Sequence, residues 1–471
     1  MDTTYEMVSL KLVTDQTDHS VLNGIEVNVS HNGRNTTYTY SGEVITFLMP
    51  PYAEYTISFP AIENYYTPEE KTFVAIPYGE RSEVVTYVYD PAIDLSKHDI
   101  HGTKISQSTA NCYVVSKAGL YKFPLVFGNA IKNGATNSAA YTKNSGSYSH
   151  DFVDYKGTVI TSPYIEEVSG VAGSVQLSIA DADGIFTDIS IQNGDACRYV
   201  RFNVSSVPST GANGVISIKD SSGVIMWSWH IWVWSHDLTP VTLTNSIGVN
   251  YNILPVNLAS TYDSDGVHIK NWLYQFGRPT PLLGPASYKS NTNATSYGVL
   301  ALSVVRMATY IYTGIQNPNI VYYSNNSTSQ NLNWFSTNSN KTFNLWDAAC
   351  TTTGKSDNAV VKTVYDPCPV GFHVPNGNTF SYFSTSNIVG SFDYGYKFKR
   401  NSSDSVGVFF PSSGSRGRIT GTLENVGSYG TVWTSASSSV NASYYLRFYS
   451  GSVTVTDNYR SFACSVRPVQ E

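Results

Sequence analysis

The run Ile225-Met226-Trp227-Ser228-Trp229-His230-Ile231-Trp232-Val233-Trp234 decides how this chain is read. A period of two puts Ile225, Trp227, Trp229, Ile231 and Val233 on one face of a strand. Met226, His230, Trp232 and Trp234 fall on the other. Apolar side chains on both faces describe a strand covered from both sides. A tryptophan row can also serve as a platform for sugar rings, but the two-sided pattern favours core, because large aromatics dominate interiors.

Working outward, the 471 residues suggest about three domains. Residues 1–90 read as a small β-sandwich. Val27 and Val29 alternate with polar neighbours, Tyr55, Ile57 and Phe59 do the same, and Val85, Tyr87 and Tyr89 close the segment. Asn23-Gly24, Asn32-Gly33, Ser41-Gly42, Pro50-Pro51 and Tyr78-Gly79 mark its turns. Asp90-Pro91 reads as a linker. Residues 91–237 form a second strand-rich segment that ends in the tryptophan run. Residues 238–471 are less regular, with Asn/Ser/Thr stretches such as 324–340. Here one short helix is expected over 377–384, capped by Asn376, and a late hairpin over 445–456 turns at Ser450-Gly451.

Composition narrows the function. Charged residues make up only 14% of the chain and apolar residues 41%, which excludes a coiled coil and a charged disordered tail. A net charge of −6 with no basic stripe argues against nucleic acid as a partner. No apolar run is long enough for a membrane-spanning helix. The opening Met1-Asp2-Thr3-Thr4-Tyr5 lacks a signal pattern, so either the protein is cytoplasmic or a signal precedes this numbering.

Motifs for catalysis or metal binding are weak. Residues 349–356 fit a loose phosphate-loop pattern but have one glycine and no long helix to follow. His98 and His101 lack the glutamate of a zinc helix. Asp181-x-Asp183-Gly184 and Asp263-x-Asp265-Gly266 lack the bidentate glutamate of a calcium loop and read as turns. The five cysteines form no C-x-x-C pair. No cofactor, no metal site and no enzyme activity are expected.

Residues 363–375, Thr-Val-Tyr-Asp-Pro-Cys-Pro-Val-Gly-Phe-His-Val-Pro, resemble the signature of the Fibrobacter succinogenes major paralogous domain, a relative of C-type-lectin-like folds. Trp272-Leu273-Tyr274-Gln275-Phe276-Gly277-Arg278, Val432-Trp433-Thr434-Ser435 and residues 462–469 are similar to further runs of that family. Residues 110–115 and 227–232 look like runs that precede it in secreted proteins of gut Bacteroidales. Residues 45–50 and 55–59 are similar to their transthyretin-like or Ig-like modules. The resemblance implies a mainly β chain with an N-terminal transthyretin/Ig-like β-sandwich (1–90), a second β-sandwich-like domain (91–237) and a C-terminal α+β C-type-lectin-like domain (238–471).

By the same resemblance, the protein would be exported to the cell surface as a fimbrillin-type pilus tip subunit associated with the outer membrane. It would bind a host or bacterial surface glycan or protein. The alternative is a secreted carbohydrate-binding module or scaffold outside pili. Only Gln470 and Glu471 follow the last motif, so the chain is expected to accept a strand from an adjacent pilin subunit and to donate none. The Glu-Pro-Asn and Trp-Asn-Asp runs of calcium-dependent lectins are absent, as is the close cysteine pair of formylglycine-generating enzymes. The lectin-like fold implies a disulfide at Cys368, to Cys464 or alternatively Cys350. Cys112 and Cys197 are expected as small buried hydrophobes.

Strand alternation also places a candidate ligand face. Tyr444, Leu446 and Phe448 should face the core with Val453 and Val455. Tyr445, Arg447 and Tyr449 should face outward, opposed by Ser452, Thr454 and Thr456. Asp457-Asn458-Tyr459-Arg460 is expected to follow in a recognition loop. Phenol rings beside a guanidinium can stack on sugars and bind carboxylates; the plainer alternative is a solvated sheet face.

Overall fold

The computed structural model describes residues 4–324, 332–336 and 342–471, so most of the Asn/Ser/Thr stretch 324–340 lies outside the described residues. The chain is mainly β and divides into two compact units. One comprises Met1–Ile93 with Gln192–Arg198, the other Asp94–Ile191 with Tyr199–Glu471.

In the first unit, alternation builds two four-stranded sheets. Glu6–Thr14 lies between Ile45–Met49 and Glu80–Tyr89, antiparallel to the first and parallel to the second. Glu26–His31 and Glu54–Ser58 form the centre of the other sheet. Val8, Leu10 and Leu12 meet Val27, Val29, Tyr55 and Ile57 in one core between them. Each buried aliphatic contributes about 1.5–3 kcal/mol.

Two turns in this unit share an uncommon construction. In Pro50-Pro51-Tyr52-Ala53 and Ile76-Pro77-Tyr78-Gly79 the fourth residue's N–H donates to the first residue's carbonyl, at 3.2 and 2.9 Å. Proline at the second position suits a tight turn, but a positive φ at the third normally selects glycine. Here tyrosine takes it, with φ of +62° at Tyr52 and +55° at Tyr78. Both rings stand in solvent, 78% and 80% exposed.

The second unit is built around the tryptophan run. Ile225–Val233 is buried along its whole length, as its two-sided pattern requires. It lies between Cys112–Val115, parallel, and Ala212–Lys219, antiparallel. The expected boundary near residue 237 falls inside this unit. Asn111 Nδ2 donates to the carbonyls of Val364 (2.6 Å) and Asp366 (2.8 Å), and its Oδ1 accepts from Trp227 Nε1. Tyr365 reaches Val153 N and O through its hydroxyl, both at 2.7 Å. Residues 363–366 are thereby bound to the segment that carries the tryptophans.

Irregular loops dominate the rest, and buried arginines hold them. Arg278, Arg416, Arg460 and Arg467 are all 1% exposed or less. Arg278 donates to the carbonyls of Gly314, Asn317 and Ile320 and to Gln275 Oε1. Arg467 donates to Asn257 Oδ1, Leu254 O and Phe409 O. Burial lowers these guanidinium groups, Arg278 to about 10 and Arg467 to about 9.

Two expectations are corrected. Residues 377–384 form successive turns rather than a helix. The amides of Thr379, Ser381 and Phe383 reach back to the carbonyls three residues earlier, and Phe380 and Phe383 enter the core. Cys368 and Cys464 form no disulfide, and Cys350 does not replace either partner. Cys368 sits beside Asp366 and Lys362, where burial holds its thiol far above the usual range. Cys464 lies in a strand paired with Tyr274–Gln275, and burial pushes it up to about 12. Cys112 is buried as expected, whereas Cys197 is half-buried.

Candidate functional site

The late hairpin belongs to a three-stranded antiparallel sheet, Tyr429–Ser437, Ala442–Tyr449 and Ser452–Tyr459. One face behaves as alternation dictates at Leu446 and Phe448, but Tyr444, expected in the core, is only half-buried, with the Lys355 ammonium 5.5 Å from its ring centre. Leu446 and Phe448 pair with Val455 and Val453 and pack into a core with Val432, Tyr396 and Phe398. Gly430 is required here, because a Cβ would come within 1.9 Å of the Phe448 ring. The strand bearing Tyr429 therefore lies close against that ring.

The opposite face is not open along its length, and this corrects the expected site. Tyr445 is 4% exposed, its ring 5.7 Å from that of buried Trp433. Burial pushes its hydroxyl up to about 12. Arg460 is fully buried and spends its donors within the fold, on Ser443 Oγ (2.9 Å), Ser437 Oγ (2.6 Å) and the carbonyl of Thr342. Its guanidinium lies 4.6 Å from the Phe276 ring centre. It ties the fold together and is not available to a ligand.

Nor do Asp457, Asn458 and Tyr459 form a loop. They extend the last strand, opposite Tyr444, Ser443 and Ala442. Register puts Asp457 and Tyr459 on the face of Leu446, away from Arg447. Asp457 accepts from Ser438 Oγ at 3.0 Å, and Tyr459 carries the Arg418 guanidinium 5.4 Å from its ring centre. Asn458 shares the face of Arg447 but sits at the far, covered end.

What the structure does bring together is Arg447, Tyr449 and a residue the sequence reading passed over, Tyr429. Tyr429 stands directly across from Tyr449, and their rings stack at 4.6 Å with planes 25° apart. The Arg447 guanidinium lies 5.9 Å from the Tyr449 ring centre, and its Nε has no hydrogen-bond partner. Thr431 and Thr454 flank Arg447 in register. All three principal side chains are half-buried, so each is fixed and still reachable. The signal that could have found Tyr429 is the strand pairing, which needs the length of the first hairpin loop.

The weaker motifs resolve into turns and cross-links within the fold. Asp181 accepts from the amide and side chain of Asn213. Asp263 accepts from Tyr288 N, and Asp265 from Val267 N and His268 N. His98 Nδ1 lies 2.8 Å from the Asp94 carbonyl. Among the described residues no cluster of metal-ligating side chains occurs. No helix of the described residues is long and apolar enough to cross a membrane.

No protein-family model matches the chain, and no curated protein matches it. Several solved structures align at low identity. A streptococcal ancillary pilin aligns over 50% of this chain and 61% of its own, at 11% identity and a TM-score of 0.17. A fimbrial protein from Bacteroides ovatus aligns over 99% of both chains at 10% identity and a TM-score of 0.17. A Bacteroides ovatus glucan-utilisation protein, SGBP-B, solved with a mixed-linkage heptasaccharide, aligns over 58% of this chain and 50% of its own, at 11% identity and a TM-score of 0.13. The chain thus spans less than two thirds of the pilin it matches. At TM-scores this low the alignments establish no common architecture.

Proposed function

We propose that the chain is a cell-surface adhesion protein that holds a glycan on the Tyr429–Tyr449–Arg447 patch. The observation that carries this reading is the stacked tyrosine pair beside the Arg447 guanidinium. A fixed phenol face offers a sugar ring a flat apolar surface at low entropic cost. Arg447 adds a donor for a hydroxyl or for the carboxylate of an acidic sugar. The set consists of phenols, a guanidinium and threonine hydroxyls, which suits binding rather than acid–base turnover, so the protein acts without catalysis.

Within that reading, the motif resemblance of residues 363–375 supports a C-terminal lectin-like domain and a place at the tip of a fimbrillin-type pilus, where the chain receives a strand from the adjacent subunit. A glycan array on the whole chain tests the binding. Acidic glycans should be retained, and Arg447→Ala or Tyr449→Ala should weaken them about tenfold. Unchanged retention in both variants would remove the patch from the function. Immunogold labelling tests the position: gold at fibre ends supports the tip, and gold along shafts or away from fibres overturns it.

A further inference from the structure

A second feature of the larger unit, well separated in sequence from the tyrosine patch, has the properties of a built site. Residues 99–109 and 129–139, residues 360–362, Val370 to Phe372 and the last two residues enclose a cleft of about 520 Å³. That volume is within the usual range of ligand sites, about 300–1,000 Å³.

Its polar groups are fixed and partly unspent. Asn129 is 3% exposed and held with a φ of +63°. Its Nδ2 donates to the carbonyls of Thr363 (2.6 Å) and Asp366 (3.2 Å), which fixes the amide orientation. Its Oδ1 has no hydrogen-bond partner. A buried acceptor left unmet is costly, so it calls for a donor from outside the fold. Lys362, 8% exposed, gives two of its three N–H bonds to the carbonyls of Cys368 (3.1 Å) and Pro369 (2.8 Å). Glu471 Oε1 is 3.8 Å away, an ion pair beyond hydrogen-bond reach, so the third N–H is uncommitted.

Charge within the cleft is balanced internally. Lys132 and Lys362 both pair with Glu471. Asp99 Oδ1 is taken by the amides of His101 and Thr103. A charged ligand would have to break these pairs, whereas an uncharged one would not. Ile100, Ile131, Val361 and Phe372 supply an apolar wall beside the polar groups.

One buried acceptor, one free ammonium donor and an aliphatic wall together match an acetamido group. Its N–H would meet Asn129 Oδ1, its carbonyl Lys362 Nζ, and its methyl the wall. We infer that this cleft binds an uncharged N-acetylhexosamine. The inference does not rest on the tyrosine patch, and the two can fail separately.

Saturation-transfer NMR and calorimetry on the full chain would test it with N-acetylglucosamine, glucose and glucosamine. N-acetylglucosamine should bind, with the strongest transfer at its acetyl methyl protons. Glucose and cationic glucosamine should bind about tenfold more weakly. Ala139→Trp fills the rim from an exposed position without touching the Asn129 or Lys362 bonds and should cost about tenfold in affinity. Arg447→Ala should leave this binding unchanged. Absence of acetyl transfer, equal affinity for glucose, or full binding by Ala139→Trp would overturn the cleft. Loss of binding in Arg447→Ala would move the sugar to the tyrosine patch and overturn it equally.

Discussion

The two units solve the same problem in different ways. The first holds its chain in two four-stranded sheets and fills the space between them with aliphatic and aromatic side chains. The second leaves long stretches outside any ladder and satisfies their carbonyls with arginine and asparagine side chains. Buried carbonyls need partners wherever they lie. The difference teaches that where chain leaves the sheet, fixed polar side chains take over the role of the neighbouring strand. It also explains why two of the motif arginines, Arg278 and Arg467, are buried far from any ligand surface.

That contrast can be broken from either side. Arg278→Ala removes the donor shared by the carbonyls of Gly314, Asn317 and Ile320. It should destabilise the second unit by about 3–5 kcal/mol, because buried polar groups lose a charged partner. Hydrogen exchange read by mass spectrometry should show protection lost in peptides from that unit and kept in residues 4–93. Leu10→Ala should do the reverse. It leaves a cavity in the sandwich core worth about 3 kcal/mol, and exchange should rise in the first unit alone. Loss of protection spread evenly by either variant would dissolve the distinction.

A third test sharpens it through pH. Burial raises Asp347 from 3.8 to about 6. Its favourable protonated form is fully available below the unfolded value, so stability should fall as pH rises from about 4 to 6. Asp347 Oδ1 accepts from Ala349 N and Val361 N, bonds that an amide oxygen can keep. Asp347→Asn should therefore gain on the order of 1–2 kcal/mol at neutral pH in denaturant titrations, and little at pH 4. The smallest effect belongs to the first unit. Tyr78→Gly relieves the positive φ and loses almost no contact, so the unit should gain about 0.5–1 kcal/mol of unfolding free energy in denaturant titration. A loss of stability there would mean that the ring is packed.

Periodic features were legible in the sequence. The burial of Ile225–Val233, the register of the late hairpin and the core role of Leu446 and Phe448 all follow from a period of two. Alternation shows which residues share a face but not how many layers lie beyond it. Alternation turns Tyr445 outward and the polar run after Thr456 suggests a loop at Arg460, whereas Trp433 and Phe276 lie over the two side chains. The same limit hid Tyr429, which reaches the site only through its register with Tyr449. The helix expected after Asn376 failed for a reason outside the segment. Asn378 is drawn to Asp357 and Ser381 to Ser246, distant partners that no local pattern shows.

The clasp of Asn111 on residues 364 and 366 also dictates when this unit can fold. It joins positions 253 and 255 residues apart, and Val469–Gln470 closes a sheet against Ile253 and His373. Contacts of such long range form slowly, because the intervening chain must be ordered first. A chain emerging from its N-terminal end can lay Trp229 against Phe123 at once, whereas Trp227 waits for Tyr365, more than a hundred residues further on. Until that closure, the face of the strand that Tyr365 covers stands open beside an already packed neighbour.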